Sequence, residues 1–207
     1  MDLYEGKELK IVALASGGID SFLMMYMLKK RLYEIFPIFI NYGQLGKKRE
    51  WISYKKICEY LNLRPYRISI PEYGKYIESG ITNKKLDITK FAFLPNRNLL
   101  FITLASAYAY QNDIYVVSIG LLNNPIFPDQ TKKFINYAEK CIKESLGVDF
   151  KIIAPLIDLD KIDIYNLAKK FNLPIEIVYY CHAGEEKPCG NCLACKEHIL
   201  TREKLGI

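Results

Sequence analysis

One stretch of the sequence decides the fold: Lys10-Ile11-Val12-Ala13-Leu14-Ala15-Ser16-Gly17-Gly18-Ile19-Asp20-Ser21. Its apolar first half is typical of a buried strand, and the segment Phe22 to Leu32 that follows predicts a helix. Gly17 and Gly18 lie between the two, where glycine permits positive φ angles and lets the main chain approach a ligand closely. Because the first N–H groups of a helix lack intrahelical partners and carry partial positive charge, this turn predicts a phosphate site.

The polar residues of this turn support the same prediction. The hydroxyls of Ser16 and Ser21 can donate hydrogen bonds to an anion. The turn has neither the lysine of a Walker motif nor the spaced glycines of a dinucleotide-binding fold, so those two classes of nucleotide site are excluded. The alternative interpretation is an ordinary tight turn in which a serine caps the helix.

Length and composition indicate one α/β domain with a small appendage. The chain has 207 residues, and its apolar fraction of 50% is enough for a sizeable core. The net charge of +6 suits anionic ligands such as ATP but does not by itself indicate nucleic-acid binding. The polar start, 1–7, does not resemble a signal peptide, and no apolar run is long enough to span a bilayer. We therefore expect a cytoplasmic protein, in which cysteines serve more often as metal ligands or catalysts than in disulfides.

Apolar runs alternate with helical patterns along the chain, which predicts βα units around a Rossmann-like parallel sheet. The predicted strands cover about 10–15, 35–41, 66–70, 114–119 and 151–154. Helices are expected at about 22–32, 47–61, 99–110, 131–145 and 161–171. Residues 71–93 show no clear period, and such a long connection is usually a binding lid or a mobile loop. We predict an α/β domain over 1–178 and a separate C-terminal unit over 179–207.

Four clusters of polar residues and glycines fall beyond the predicted strands, at Ser16–Ser21, Asn41–Gln44, Pro95–Asn98 and Gly120–Asp129. Ligands of open α/β sheets bind beyond the carboxyl ends of the strands. We therefore expect the four clusters to converge on one ligand site.

Arg97 and Asp129 are the candidate reactive side chains in these clusters. Arg97 lies at the start of a predicted helix, where the helix dipole repels cations. A bound phosphate or the negative charge of a transition state would offset this repulsion. The alternative for Arg97 is a surface ion pair with an acid. Asp129 follows Pro128 in a rigid turn, and its carboxylate could accept two hydrogen bonds from an amidine-like edge such as that of guanine. The alternative for Asp129 is an acid that caps the helix after it.

The tail carries four cysteines with the spacing C-x7-C-x2-C-x2-C, namely Cys181, Cys189, Cys192 and Cys195. Two-residue gaps let thiolates wrap a tetrahedral ion, and four thiolates favour zinc or an iron–sulfur cluster over harder metals. We predict a structural zinc, since a site closed by four thiolates leaves no open position for catalysis. An iron–sulfur cluster and a set of reduced core cysteines are the alternatives.

Several of these motifs, in their order along the chain, resemble the QueC family of 7-cyano-7-deazaguanine synthases. They are Ser16–Ser21, Asn41–Gln44, Leu94–Asn98, Pro128-Asp129 and the four-cysteine tail. The family belongs to the PP-loop ATP pyrophosphatases, which have an adenine nucleotide alpha hydrolase-like fold, adenylate a substrate and release pyrophosphate. The resemblance implies a ligase that forms carbon–nitrogen bonds. It would convert 7-carboxy-7-deazaguanine, ammonia and ATP into the nitrile preQ0, a precursor of queuosine and archaeosine.

The resemblance also implies which residues bind the ligands. The ATP-binding residues would be Ala15, Ser16, Gly17, Gly18, Asp20, Ser21, Tyr42 and Gln44. Mg²⁺ would bridge the phosphates, and the four cysteines would bind zinc. Beside these, Arg97 remains the candidate contact for a phosphate or the transition state, and Asp129 the candidate contact for the guanine-like edge of the substrate. The expected partners are the small-molecule substrate and ammonia. We expect neither membrane association nor direct contact with nucleic acid. A homodimer is one possible assembly. No residue of the sequence stands out as a general base.

The sequence departs from the family pattern on the side expected to bind the substrate. The family usually has glycine in place of Asn96 and Pro-Asp-Cys-Arg in place of Pro128-Asp129-Gln130-Thr131. The first alternative is therefore a QueC-like enzyme that acts on another deazaguanine or conjugates a substrate, for example in a defence system. The second alternative is a zinc-ribbon nucleic-acid-binding protein with an inactive PP-loop, supported by the positive net charge and the cysteine tail.

Overall fold

The fold is a parallel sheet with helices on both faces. The computed structural model describes residues 9–206. The strands are β1 (Lys10–Leu14), β2 (Glu34–Asn41), β3 (Tyr66–Ser69), β4 (Val116–Ser118) and β5 (Lys151–Ile153). Neighbouring strands are parallel, and the strand order is β3-β2-β1-β4-β5. This is the order of a Rossmann-like sheet, which confirms the predicted fold class.

Helices connect the strands and follow the last of them. Their bounds are α1 (Ile19–Lys30), α2 (Lys47–Tyr60), α3 (Pro71–Tyr76), α4 (Arg97–Gln111), α5 (Lys132–Leu146), α6 (Lys161–Lys170) and α7 (Leu193–Leu205). Short 3₁₀ turns lie at Pro128–Gln130 and Ile175–Ile177. Within residues 9–206, no helix combines the length and the apolar character that crossing a bilayer requires.

The central strand β1 divides the core into two layers. Ile11 and Ala13 pack with the buried faces of α1, α2 and α6, whereas Val12 and Leu14 pack with those of α4 and α5. Because helices cover both faces, β1 is apolar at every position from Ile11 to Leu14. The carboxyl end of this strand therefore emerges between two helical layers, and the loop that begins at Ala15 lies there.

Residues 71–93 contain more regular structure than the sequence pattern predicts. The segment begins with α3, and Ile81 and Ala92 are buried in the layer that contains α4 and α5. The Leu45 N–H donates a hydrogen bond to the Ile81 carbonyl. A helix of six residues and isolated buried positions produce no detectable period, which is why the pattern indicated a loop. A lid role for this segment stays a prediction.

The C-terminal unit packs closely against the rest of the chain. Its helix α7 contacts α6. At Gly184, a Cβ atom would lie 2.3 Å from the carbonyl oxygen of Leu45, so the backbone of the unit touches the segment that follows β2. The division of the chain after residue 178 stays a prediction.

Candidate active site and metal centre

A cavity of about 350 Å³ opens beyond the carboxyl ends of β1, β2 and β4. It lies where the strand order reverses, between β1 and β4, and its volume suits a small ligand. All four clusters predicted from the sequence contribute to its wall, which confirms their convergence. Of the residues predicted to bind ligands, the wall contains Ala15, Ser16, Gly18, Asp20, Ser21, Tyr42, Gln44 and Arg97.

Gly17 shapes the loop between β1 and α1 without being part of the cavity wall. Its φ angle is +86°, and a Cβ added there would lie 2.5 Å from the carbonyl oxygen of Glu50 on α2. The Gly17 carbonyl accepts a hydrogen bond from the Tyr179 N–H at 3.1 Å and lies 2.6 Å from the Ser53 hydroxyl. Only glycine fits this position, and the loop is held from both α2 and the C-terminal unit.

Ser16 and Ser21 line the cavity and also hold the loop together. The Ser21 hydroxyl donates to the Gly18 carbonyl at 3.0 Å and accepts from the Ser16 N–H at 3.3 Å. The first backbone bond of α1 runs from the Phe22 N–H to the Gly18 carbonyl. The N–H groups of residues 19–21 come before it and have no intrahelical acceptor, so they are free to bind an anion.

Asp20 is paired with a lysine that the sequence analysis did not identify. Lys161, the first residue of α6, donates to both carboxylate oxygens of Asp20 at 2.9 Å and forms an ion pair with Glu197 of α7 at 3.1 Å. Burial disfavours the charged amine, but the two carboxylates outweigh it and raise the pKa of Lys161. The three side chains join α1, α6 and α7 at the cavity wall. A direct contact of Asp20 with a nucleotide stays a prediction.

Tyr42, Gln44 and Arg97 form another part of the wall. The Gln44 Oε1 accepts from the Tyr42 N–H at 2.9 Å, and its Nε2 donates to the Ile40 carbonyl at 3.1 Å. Burial raises the pKa of Tyr42 to about 12, although the nearby Arg97 guanidinium acts in the opposite direction. Among residues 9–206, no carboxylate lies within ion-pair distance of Arg97. The surface ion pair offered as the alternative for Arg97 is therefore not observed.

The Asp129 carboxylate lies at the start of α4, outside the cavity wall. One of its oxygens accepts the Asn98 N–H at 3.2 Å, and the Asn98 side-chain amide donates to the Asp129 carbonyl at 3.0 Å. The alternative that Asp129 caps the helix after it, α5, is therefore wrong, because Thr131 caps α5. Asp129 instead supplies an acceptor to the first turn of α4. A substrate contact of Asp129 stays a prediction.

The residues that depart from the family pattern have local structural roles. Asn96 has a φ angle of +58°, in the left-handed region that asparagine tolerates better than most residues. The Gln130 Oε1 accepts the N–H groups of Ile126 and Phe127 at 2.8 and 2.9 Å. Thr131 accepts an N–H from the first turn of α5 at 3.0 Å. The side chains of Gln130 and Thr131 therefore support the backbone beside the cavity.

His182 is a polar side chain of the wall whose Nδ1 is unpartnered. This atom is buried and has no hydrogen-bond partner in the described part of the chain. Burial lowers the pKa of His182 to about 4, and the charges of Arg97 and Lys161 act in the same direction. The imidazole is therefore neutral at pH 7, and its Nδ1 is available to a bound ligand.

The four tail cysteines form one compact cluster. Their Sγ atoms all lie within 4.8 Å of one another, and those of Cys189 and Cys195 are 3.9 Å apart. Tetrahedral coordination with metal–sulfur bonds of about 2.3 Å places sulfurs about 3.8 Å apart, so the cluster fits a single ion. An iron–sulfur cubane needs a wider spacing, because each thiolate binds a different iron.

Sequence reasoning missed three charged residues of the wall: Glu50, Lys161 and Glu197. Lys161 begins a helix just after the N-cap Asp160, and a cation at that end is the signal that identified Arg97. Glu50 follows the basic run 47–49, a pattern that predicts a solvent-exposed helix face. For this reason Glu50 was not expected in the cavity wall. Glu197 has no sequence signal, since only the docking of α7 brings it to the cavity.

A family model and two sequence relatives point to the same kind of protein. The sequence model of the family described as "Queuosine biosynthesis protein QueC" matches residues 10–203. A relative from Nautilia profundicola, described as 7-cyano-7-deazaguanine synthase, is 31% identical over 96% of this chain and 95% of its own length. A relative from Sulfurimonas denitrificans with the same description is 33% identical over 92% of this chain and 91% of its own length.

A solved structure with a similar fold is a 4-thiouridine synthetase in complex with RNA and bound ATP. The similarity has a TM-score of 0.54 with 20% sequence identity, and it covers 95% of this chain and 49% of that chain. At this identity the similarity concerns the fold, which in that protein accommodates ATP.

Proposed function

Because the chain belongs to the QueC family, we propose that it is a 7-cyano-7-deazaguanine synthase, which converts 7-carboxy-7-deazaguanine and ammonia into the nitrile preQ0 at the expense of ATP. The family match extends over 10–203, so it includes both the phosphate-binding loop and the cysteine cluster. The observation that carries the proposal is the loop with free N–H groups, which faces a cavity with Arg97 and Lys161 in its wall.

In this proposal the triphosphate of ATP binds at the loop between β1 and α1. The N–H groups of residues 19–21 and the dipole of α1 favour an anion there, and the Ser16 hydroxyl can donate to it. Arg97 supplies a positive charge that no protein carboxylate within the described chain neutralises by an ion pair. Charge that develops on the phosphates during the reaction is thereby stabilised.

The chemistry requires that a carboxylate become an electrophile. Adenylation turns it into a mixed anhydride with AMP as leaving group, and ammonia then attacks to give an amide. A second activation, at the amide oxygen, allows that oxygen to leave and the nitrile to form. The residues of the wall orient these reactants and stabilise charge, which is how an enzyme accelerates reactions whose chemistry resides in the substrates.

Two metals belong to the proposal. Zinc would be held by the four cysteines and would crosslink the C-terminal unit, since four thiolates leave no position for a substrate. Mg²⁺ would bind mainly through the ATP phosphates. Asp20, the acid of the loop, is engaged by Lys161, and within residues 9–206 the four cysteines are the only cluster of three or more metal-ligating side chains.

The central experiment is mass spectrometry of the products formed from 7-carboxy-7-deazaguanine, ATP and an ammonium salt. We expect preQ0, with AMP and pyrophosphate as the nucleotide products, because the loop lacks the lysine used for chemistry between the β and γ phosphates. ADP and orthophosphate in place of AMP and pyrophosphate would contradict the proposal. Retention on immobilised RNA without any ATP turnover would favour the nucleic-acid-binding alternative.

Gln130 gives a reason to test a second substrate class. It lines the cavity at a position where the family usually has cysteine. If AMP is released only when another deazaguanine or another acceptor amine is supplied, the chain is a QueC-like enzyme with a different substrate.

Asp129→Asn tests whether Asp129 contacts the substrate. Asparagine keeps an oxygen that can accept the Asn98 N–H, so the capping role is retained. A contact with the guanine-like edge would be disrupted, because an amide donor would face a ligand donor, at a cost of roughly 1.5–3 kcal/mol. We expect the dissociation constant of 7-carboxy-7-deazaguanine, measured by calorimetry, to rise by about tenfold or more. ATP affinity should stay nearly unchanged; equal weakening of both ligands would indicate a structural role only.

A further inference from the structure

Glu50 is an acidic side chain of the cavity wall whose role is not explained by ATP binding. It lies in the first turn of α2 and is partly buried. The other acid of this region, Asp20, has Lys161 as its partner. Within residues 9–206, no lysine, arginine or histidine forms an ion pair with Glu50. An unpaired carboxylate in a cavity built for phosphates is unfavourable unless it binds a cation or a proton.

The Glu50 carboxylate is held in one orientation by Gln44. The Gln44 Nε2 donates to a Glu50 oxygen at 2.9 Å and to the Ile40 carbonyl at 3.1 Å. The Gln44 Oε1 accepts the Tyr42 N–H at 2.9 Å, so every hydrogen-bonding atom of this buried amide is engaged. The carboxylate is therefore positioned by a side chain that is itself fixed by the backbone after β2.

The proposed reaction needs a group with these properties. At neutral pH ammonia exists mainly as ammonium, which is attracted to a carboxylate but has no lone pair with which to attack an acyl carbon. A base must remove a proton before the carbon–nitrogen bond can form. Such a base must lie on the cavity wall and not be held in an ion pair, and within residues 9–206 Glu50 meets both conditions.

We propose that Glu50 binds ammonium in the cavity and accepts one of its protons, which releases ammonia for attack on the acyl adenylate. This inference rests on the proposed function and adds a catalytic residue to it. The proton passes from nitrogen to a Glu50 oxygen, and the nitrogen lone pair forms the bond to the acyl carbon. The adduct then loses a second proton to water, and the bond between the acyl carbon and the phosphate oxygen breaks with its electron pair leaving on AMP.

The electrostatic surroundings of Glu50 suit this role. Burial raises the pKa of Glu50 to about 7, while the Gln44 hydrogen bond and the Arg97 charge act in the opposite direction. Tyr42 and Tyr179 also interact with this carboxylate, and burial raises the pKa of each phenol, so both are neutral at pH 7. The carboxylate thus titrates close to the operating pH, where a general base is most effective. Because its protonated form is the inactive one, activity should rise as pH increases through about 7.

Glu50→Gln separates proton transfer from adenylation. The variant keeps the side-chain volume and an oxygen that can accept from Gln44, so we expect it to fold. Exchange of labelled pyrophosphate into ATP, dependent on 7-carboxy-7-deazaguanine, should stay within about twofold of the unmodified protein. Formation of the amide and nitrile should fall by about 10²–10⁴-fold. Glu50→Asp, which retains a carboxylate, should recover part of that loss.

The pH profile gives the second measurement. Glu50→Gln lacks the base, so it depends on ammonia that is already deprotonated in solution. Below the pKa of ammonium, each pH unit raises the concentration of free ammonia by about tenfold at constant total ammonium. The difference in the rate of amide formation between Glu50→Gln and the unmodified protein should therefore shrink as pH rises. Glu59→Gln is the matched control, because Glu59 lies on the same helix and is exposed. An equal loss of exchange and of amide formation in Glu50→Gln, or a deficit independent of pH, would overturn the inference. Absence of substrate-dependent exchange in the unmodified protein would instead overturn the proposed function itself.

Discussion

Replacing Gly17 with alanine is expected to lower ATP-dependent turnover by about 100-fold or more. The new Cβ would lie 2.5 Å from the Glu50 carbonyl oxygen and 3.0 Å from the Tyr54 backbone nitrogen, so either the loop or α2 must move. The loop is held by hydrogen bonds to Ser53 and Tyr179, and a shift of about 1 Å in a positioning element can cost about 100-fold in rate. Turnover is measured as AMP release at saturating ATP, and folding by circular dichroism.

Gly147→Ala is the matched control for this variant. Gly147 also has a positive φ angle, +67°, but nothing lies within 4 Å of a Cβ built there. Alanine at Gly147 therefore introduces backbone strain of about 1 kcal/mol without a clash, and its activity should remain that of the unmodified protein. If Gly17→Ala turned over as fast as Gly147→Ala, the close approach of the loop to α2 would not matter for ATP use.

Replacing Cys195 with alanine is expected to remove the metal and destabilise the C-terminal unit. A structural zinc site contributes directly to folding, and loss of one thiolate opens the tetrahedron. We expect a destabilisation of about 3 kcal/mol or more, which corresponds to a fall in Tm of about 6–12 °C for a chain of this size. Activity should fall as well, because α7 supplies Glu197 and part of the cavity wall. The measurements are thermal unfolding and metal content per chain.

Cys58→Ala is the control, since Cys58 is as fully buried as Cys195 but lies in α2, away from the cluster. It should keep one zinc per chain and lose only the stability expected for a small cavity. Iron with acid-labile sulfide in protein purified without oxygen would identify a different metal centre. Equal metal content in Cys195→Ala and the unmodified protein would contradict the assignment of this cysteine as a ligand.

The features predicted correctly are those that short segments determine. Residues close together in sequence determine three such features: the apolar run of β1, the glycine turn after it and the two-residue gaps between the cysteines. The positions of β4 and β5 were predicted correctly, but both strands are shorter than predicted. Ile114 is buried but lies before the first residue of β4. A buried apolar residue next to a strand looks the same in sequence as a residue within it.

The features missed depend on contacts between distant segments. Lys161 is separated by 141 residues from Asp20, and the basic residues before Glu50 concealed an acid that faces inward. Asp129 and Asn98 meet across 31 positions, which is why the acid supplies an acceptor to α4 and not to the helix that follows it. Sequence spacing indicated candidate residues for a site, but packing decides which of them meet.

The ion pairs of Lys161 with Asp20 and Glu197 join segments of the chain that are synthesised at different times. β1 and the loop after it are synthesised before α6, and Lys161 follows Asp20 by 141 positions. During that interval Asp20 lacks its Lys161 partner, and the cavity lacks the part of its wall that α7 provides. A nascent chain therefore carries the loop between β1 and α1 before the rest of the cavity exists, and the wall described here is complete only when α7 has been translated and has docked.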